Sequence, residues 1–131
     1  MISTKGRYAI RLMIDLAKQN SDTPVPLDAI ALRQDISKKY LESIVKLLVT
    51  GKLVKGASGK NGGYSLTRKA DEYTVMEILK LTEGSMATVA CLEEGAEECP
   101  RMEKCKTVSM WRGYDAMVND YFSKIKITDL L

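Results

Sequence analysis

At 131 residues, 45% apolar and 28% charged with a net charge of +3, the chain has room for one globular domain, or one domain with an added dimerising arm. It has no histidine, which excludes Ser-His and Cys-His catalysis and any histidine metal ligand. No apolar run reaches the length of a membrane span, and the first residues lack a signal peptide's apolar core, so a soluble, cytoplasmic protein is expected.

Charge is unevenly placed along the chain. Residues 1–69 hold 13 Lys and Arg against 5 Asp and Glu, and residues 70–131 hold 7 against 12. A basic N-terminal half suits a polyanion such as DNA, whose counterions Lys and Arg displace. The plainer reading is a solvated basic surface.

The chain opens Ser3-Thr4-Lys5-Gly6-Arg7-Tyr8. A helix follows with Ala9, Leu12, Met13, Leu16 and Ala17 on one stripe. Lys5, Arg7 and Arg11 lie near its start or on its other faces, where they either touch phosphates or are solvated. Ser21 to Val25 reads as a loop, and Pro26 and Asp28 open a short second helix carrying Leu27, Ile30 and Ala31. Asp35-Ile36 turns the chain into a third helix, the arrangement of a helix-turn-helix.

Ser37 is suited to cap that third helix, because its hydroxyl accepts from an unpaired first-turn N–H. Leu41, Ile44, Val45 and Leu48 then mark the inward face. Lys38, Lys39, Tyr40 and Glu42 mark the outward leading edge, and Gly51 is expected to stop the helix in the left-handed conformation. Leu53 to Lys55 and Tyr64 to Leu66 read as two strands around a tip of Ser58, Gly59, Lys60, Asn61, Gly62 and Gly63. A polar-edged helix followed by a basic hairpin is the pattern of a winged helix, with the helix in a major groove and the hairpin beside it. The hairpin glycines are better explained by a turn than by a nucleotide loop, since no helix follows them directly.

Thr74 and Glu77 have the spacing of a capping box at the head of a fourth helix, with Val75, Ile78 and Leu79 inward and Gly84 at its end. Three cysteines follow in an acidic loop, Cys91, Cys99 and Cys105, spaced Cys-x7-Cys-x5-Cys. An odd number of cysteines cannot all close into disulfides. Residues 107–124 form a long helix in which Trp111, Tyr114, Val118, Tyr121 and Ile125 fall at alternating steps of three and four, widened by Met110, Met117 and Phe122. Such a seam suits burial against a twin helix in a two-fold homodimer, the alternative being packing on its own domain. Thr128 is placed to cap a final turn.

The fold class expected is mainly α, a winged helix-turn-helix with a long C-terminal dimerisation helix. Residues 1–84 form the DNA-binding domain, 85–106 the cysteine loop, and 107–131 the dimerisation helix and terminal turn. There is no nucleophile beside a base and no G-x-x-x-x-G-K-S/T phosphate loop, so an enzyme is not indicated.

Several motifs carry a family resemblance. Ser-Thr-Lys-Gly-Arg-Tyr-Ala at 3–9, Val-Pro-Leu at 25–27, Ile-Ser-x-x-Tyr-Leu-Glu at 36–42 and Gly-x-x-Gly-Gly-Tyr-x-Leu at 59–66 occur in the order found in the Rrf2 family of bacterial transcription regulators. Trp111-Arg112 and Ile-Thr-x-x-Leu at 127–131 fit it too, so the resemblance spans essentially the whole chain. It implies a homodimer that binds a double-stranded DNA operator. Its three-cysteine branch, the IscR and NsrR types, implies an iron–sulfur cluster (2Fe–2S or 4Fe–4S) on Cys91, Cys99 and Cys105. It also implies that Glu42 reads a base; on their placement, Lys38, Lys39 and Tyr40 are expected to hold phosphates or neighbouring bases, Lys5 and Arg7 phosphates, and Ser58, Lys60 and Asn61 to form the wing's contact.

Three positions depart from the pattern. Ser58 stands where many relatives carry Arg, leaving Lys60 to substitute. Val108 stands where the IscR type has a histidine ligand, and Arg7-Tyr8 where related members have an acidic one. The fourth ligand therefore stays open among Glu93, Glu94, Glu97, Glu98, Glu103, a small thiol and another protein group.

On the residues alone, three thiols outside any periodic apolar pattern suit a cluster better than zinc, which favours C-x2–4-C pairs and four ligands. The surrounding glutamates are expected to disfavour free thiolates, which counts against a cysteine-only redox switch but not against metal-bound sulfur. Three readings stand: a DNA-binding regulator sensing iron–sulfur status, redox state or nitric oxide through a cluster; a regulator without a cluster that answers to thiol oxidation or a protein partner; and an iron–sulfur carrier or assembly factor.

Overall fold

The computed structural model describes residues 1–20 and 22–131. Ser21, which opens the first expected loop, lies outside them.

Helix α1 (Thr4–Gln19) begins where the Ser3 hydroxyl accepts from the Gly6 N–H at 3.1 Å, and ends at Asn20, whose φ of 40° turns the chain out of the helix. Its stripe of Ala9, Leu12, Met13, Leu16 and Ala17 is buried as the spacing requires. Helix α2 (Leu27–Gln34) follows Pro26 and ends at Asp35, also left-handed at φ 53°. Helix α3 (Lys38–Thr50) is capped by Ser37, which accepts from the Tyr40 N–H at 3.1 Å, and buries Leu41, Ile44, Val45 and Leu48. These three helices enclose most of the core.

The end of α3 differs from expectation. Gly51 has φ −79°, and the left-handed residue is Lys52 at φ 62°. A Cβ at 51 would stand 2.5 Å from the end of the Leu81 side chain, which would have to shift to admit it.

Strands β1 (Val54–Ala57) and β2 (Gly63–Leu66) pair antiparallel from Val54–Leu66 to Ala57–Gly63, one or two residues nearer the tip than the sequence suggests. A rung from a third segment anchors them, since Val25 and Tyr64 exchange both backbone hydrogen bonds at 2.8 Å. That rung explains Gly63, where a Cβ would meet the Val25 carbonyl at 2.4 Å.

Helix α4 (Val75–Glu83) carries half of the expected capping box. Thr74 accepts from the Glu77 N–H at 3.2 Å, but the Glu77 carboxylate turns to Arg68 at 2.6 Å instead of back to the cap. An ion pair reaching out of the helix has replaced the reciprocal bond. Glu83 at the other end accepts from the Ser3 N–H and hydroxyl at 3.0 and 2.8 Å, tying α4 to the start of α1.

Residues 84–107 are irregular apart from short 3₁₀ turns at Ala90–Leu92 and Met102–Lys104. Helix α5 (Val108–Ser123) then runs alongside α4. Beyond it the chain returns to the start of α4: Val75 donates to the Ile125 carbonyl at 2.9 Å, Thr74 bridges Lys126, and the Ile127 N–H donates to the Tyr73 carbonyl at 3.1 Å. The Ile127 side chain is fully buried against α1. The terminal turn is capped by Asp129, which accepts from the Lys126 N–H at 2.8 Å, and not by Thr128. The turn (Ile127–Leu130) has its capping position at Lys126, two residues before Thr128, so the Thr128 hydroxyl is too late in the turn to cap it.

Candidate nucleic-acid interface and cysteine segment

The leading edge of α3 and the hairpin tip form the candidate nucleic-acid interface. Lys39, Glu42, Ser58, Lys60 and Asn61 are exposed. Lys38 is exposed but engaged: it pairs with Asp28 at 3.0 Å, which, with a smaller contribution from Glu42, holds its ammonium above its ordinary pKa. Arg7 is exposed and donates to the Thr4 hydroxyl at 3.0 Å, and Lys5 is half-buried.

Two of the expected contact residues also pack within the protein. Tyr40 is half-buried, its ring edge-on to Tyr8 at 5.7 Å and 83°. Arg11 lies over the other ring of this pair, 5.1 Å from the Tyr8 centroid, and donates to the side chain of Gln34 at 3.2 Å and to its carbonyl. Arg11 is thus occupied within the protein and not aimed at a phosphate. The bracket Gln34–Arg11–Tyr8–Tyr40 joins α2, α1 and the first turn of α3, and fixes how α3 is presented.

A second support is harder to see in the sequence. Asp15 lies on the buried stripe of α1 and is 2% exposed. Arg33 grips it through two bonds of 3.0 and 2.7 Å, and the Gln34 amide adds a third at 3.0 Å. Hydrogen bonding to Asp15 raises the Arg33 pKa above its usual value. An acid between Met13 and Leu16 on an apolar face signals a buried partner, but nothing nearby in sequence names it.

The cysteine segment is tethered to α5 at both ends. Asp115 accepts from the Thr88 N–H at 2.9 Å and from its hydroxyl, and Arg112 donates to the Met102 sulfur at 3.7 Å. Leu92 lines the cleft between α4 and α5 with Met76 and Val118. The three thiols are unpaired, with Cys91 exposed and Cys99 and Cys105 half-buried. Among the described residues, no three Cys, Asp or Glu side chains converge around a point that could hold a metal ion. The expectation that glutamates suppress thiolate fails at Cys105. Hydrogen bonds from the Thr107 hydroxyl, 3.5 Å away, and then its backbone lower that pKa, and Arg101 adds to them.

The seam on α5 divides. Met110, Tyr114, Met117 and Tyr121 stand out at 56, 49, 62 and 62% exposure and follow a four–three–four spacing along one face. Trp111, Val118, Phe122 and Ile125 are half-buried. A groove of about 570 Å³ runs between this helix and the chain's first residues, lined by Met1, Ile2, Met86, Tyr114, Met117 and Tyr121 among others. No described helix is long and apolar enough to cross a membrane.

The comparisons with known proteins agree with this architecture. Residues 2–131 match the family model Rrf2, described as an iron-dependent transcriptional regulator. The chain is 33% identical over 130 residues to the HTH-type transcriptional regulator IscR of Pectobacterium atrosepticum, covering 99% of this chain and 78% of the relative. Among solved structures, it superposes on CymR (YrzC), the global cysteine regulator of B. subtilis, with a TM-score of 0.79 and 32% identity, covering 99% of this chain and 95% of that one. It superposes on T. potens IscR with a TM-score of 0.74 and 30% identity, covering 99% and 85%.

Proposed function

Because the chain belongs to the Rrf2 family of transcription regulators, and so to regulators and not to enzymes, we propose that it is a cytoplasmic homodimer that binds operator DNA through residues 1–84 and senses through the cysteine segment. In this reading, residues 107–131 pair the two copies. Glu42 on α3 reads a base edge, since a carboxylate accepts from cytosine N4. Lys38, Lys39, Lys5 and Arg7 neutralise phosphates, and Ser58, Lys60 and Asn61 follow the backbone or the minor groove. Tyr40 contributes from the base of the helix, held by Tyr8.

The observation that carries the sensing half is the placing of three free cysteines on one irregular segment fastened to the dimer helix at Thr88–Asp115 and Met102–Arg112. The donor set fits an iron–sulfur cluster: the thiols are unpaired, accessible or half-buried, and one has its thiolate favoured by Thr107. Cys91, Cys99 and Cys105 would hold it, as a 2Fe–2S or 4Fe–4S cluster. Such a cluster would supply a group that changes with oxidant, iron supply or nitric oxide. The chain's own part is mechanical. A change in the cysteine segment pulls on α5 through Asp115 and Arg112, and α5 sets the spacing of the two α3 helices. For that to regulate, the two states must differ in DNA affinity.

A second reading is favoured by the lowered pKa of Cys105: a regulator without a cluster, responding through thiol oxidation. Anaerobic purification with iron and sulfide analysis decides between them. Brown protein with stoichiometric iron and sulfide, and loss of that absorbance in Cys99→Ala with the dimer still folded, supports the cluster. Colourless protein that resists anaerobic reconstitution supports thiol sensing. A salt-dependent, sequence-selective gel shift tests the DNA half of the proposal separately, and its absence would turn attention to an iron–sulfur carrier.

A further inference from the structure

The hairpin and the C-terminal arm are far apart in sequence, yet one residue touches both. Tyr73 is fully buried. Its hydroxyl donates to the Leu53 carbonyl at 2.7 Å, at the entry to β1. The same oxygen accepts from the N–H groups of Thr67 and Arg68 at 2.9 and 3.0 Å, at the exit from β2. The phenol therefore holds both feet of the wing, beside the Thr67 hydroxyl, which donates directly to the Lys52 carbonyl at 2.8 Å and lies 3.2 Å from the Tyr73 oxygen. The Arg68 guanidinium covers its ring at 4.4 Å from the centroid. On the other side, the backbone of Tyr73 belongs to the arm's anchorage: its carbonyl accepts from Ile127, and the next two residues pair with Lys126 and Ile125.

We propose that Tyr73 is the positioning residue through which the seating of the arm on the first domain is passed to the wing. A buried phenol with three hydrogen bonds has little freedom to adjust one partner without moving the others. When the 125–127 segment is well seated, the Tyr73 backbone is fixed, its ring is fixed with it, and the two feet of the hairpin are held at one spacing. When that segment loosens, the feet lose their common support. This goes beyond the proposed function, and only its DNA consequence rests on that reading.

The test is a double-mutant cycle read by amide hydrogen exchange on the full-length protein. Asp129→Ala removes the acceptor for the Lys126 N–H and loosens the tail without touching the core. Ile127→Val is a second, mild way to the same end, and Tyr73→Phe keeps the buried ring while deleting the hydroxyl. In the wild-type background, loosening the tail speeds exchange at Thr67 and Arg68 about tenfold, the scale of one lost hydrogen bond, while Leu12 and Met13 in α1 are unchanged. In the Tyr73→Phe background those two amides already exchange fast, and the tail substitutions add nothing further. Equal acceleration in both backgrounds, or no response at Thr67 and Arg68 in the first, overturns the proposal. So does acceleration spread evenly over α1 and the wing, which is what simple destabilisation gives. The DNA consequence is that Lys60→Ala costs less affinity in Tyr73→Phe than in wild type. Coupled exchange with an undiminished Lys60 effect would uphold the joint and overturn its bearing on DNA binding, whereas no Lys60 effect in either background would overturn the wing's part in DNA binding.

Discussion

Glu42 and Lys60 are both exposed, yet they hold a duplex in different ways and are separable by experiment. A carboxylate near DNA is repelled by phosphates and is useful only where it finds a base donor, so Glu42→Ala should relax preference at one position in each half-site. Lys60→Ala should weaken all sites alike and reduce the salt slope by about one. A panel of operator variants measured at several salt concentrations separates them, and unchanged relative affinities in Glu42→Ala would remove its base-reading role. Asp15 acts beneath this surface. Asp15→Ala should lower stability by about 2 kcal/mol, the range for hydrogen bonds to a charged group. The figure stays below that of a wholly buried pair because the Arg33 side chain is 38% exposed and can be rehydrated. Urea denaturation gives the value, and an unmoved midpoint would mean the network is worth nothing net.

The helices themselves were largely readable from the chain, because their determinants are local. Ser37 and Thr74 cap as their positions suggest, and the buried stripes of α1, α3 and α4 are the apolar periodicities of the sequence. What escaped notice depends on residues distant along the chain. Leu81 lies against Gly51, Glu77 abandons its capping box for Arg68, and Arg11 serves Gln34. None of these partners lies within a helical turn, so periodicity cannot find them. The cysteines were legible as a set, but their tethers to α5 through Asp115 and Arg112 were not. Helix α5 also carries an unforced weakness. Gly113 is exposed with open space where a Cβ would stand, on the side away from the half-buried Trp111, Val118 and Ile125. Gly113→Ala should raise stability by about 0.5–1 kcal/mol, seen as a higher melting temperature with oligomeric state unchanged. A fall in stability would show that something packs against Gly113 in the assembled protein.

At the scale of the whole molecule, the exposed stripe of Met110, Tyr114, Met117 and Tyr121 is unusual for a surface helix, and contiguous apolar patches of this kind mark interaction sites. Tyr121→Asp places a charge in that stripe at a residue 62% exposed in the single chain, so the fold should survive it. Sedimentation should then report a monomer, circular dichroism a native helix content, and operator binding a loss of about a hundredfold or more as two half-sites cease to be bound together. A variant that still sediments with the wild type would place the dimer contact elsewhere.

The seating of Ile127 in the first domain has a consequence for how the protein is made. Its side chain is part of the core under α1, and residues 125–127 supply backbone partners to 73–75. The segment that carries the wing therefore leaves the ribosome with its hydrophobic interior still lacking a piece. Long-range contacts of this kind close late, after the intervening chain has been synthesised. The basic half should acquire its full stability only once α5 exists behind it. A nascent chain would thus reach its DNA-competent form together with the helix proposed to pair it, and on that proposal solitary half-site binders would be rare during translation.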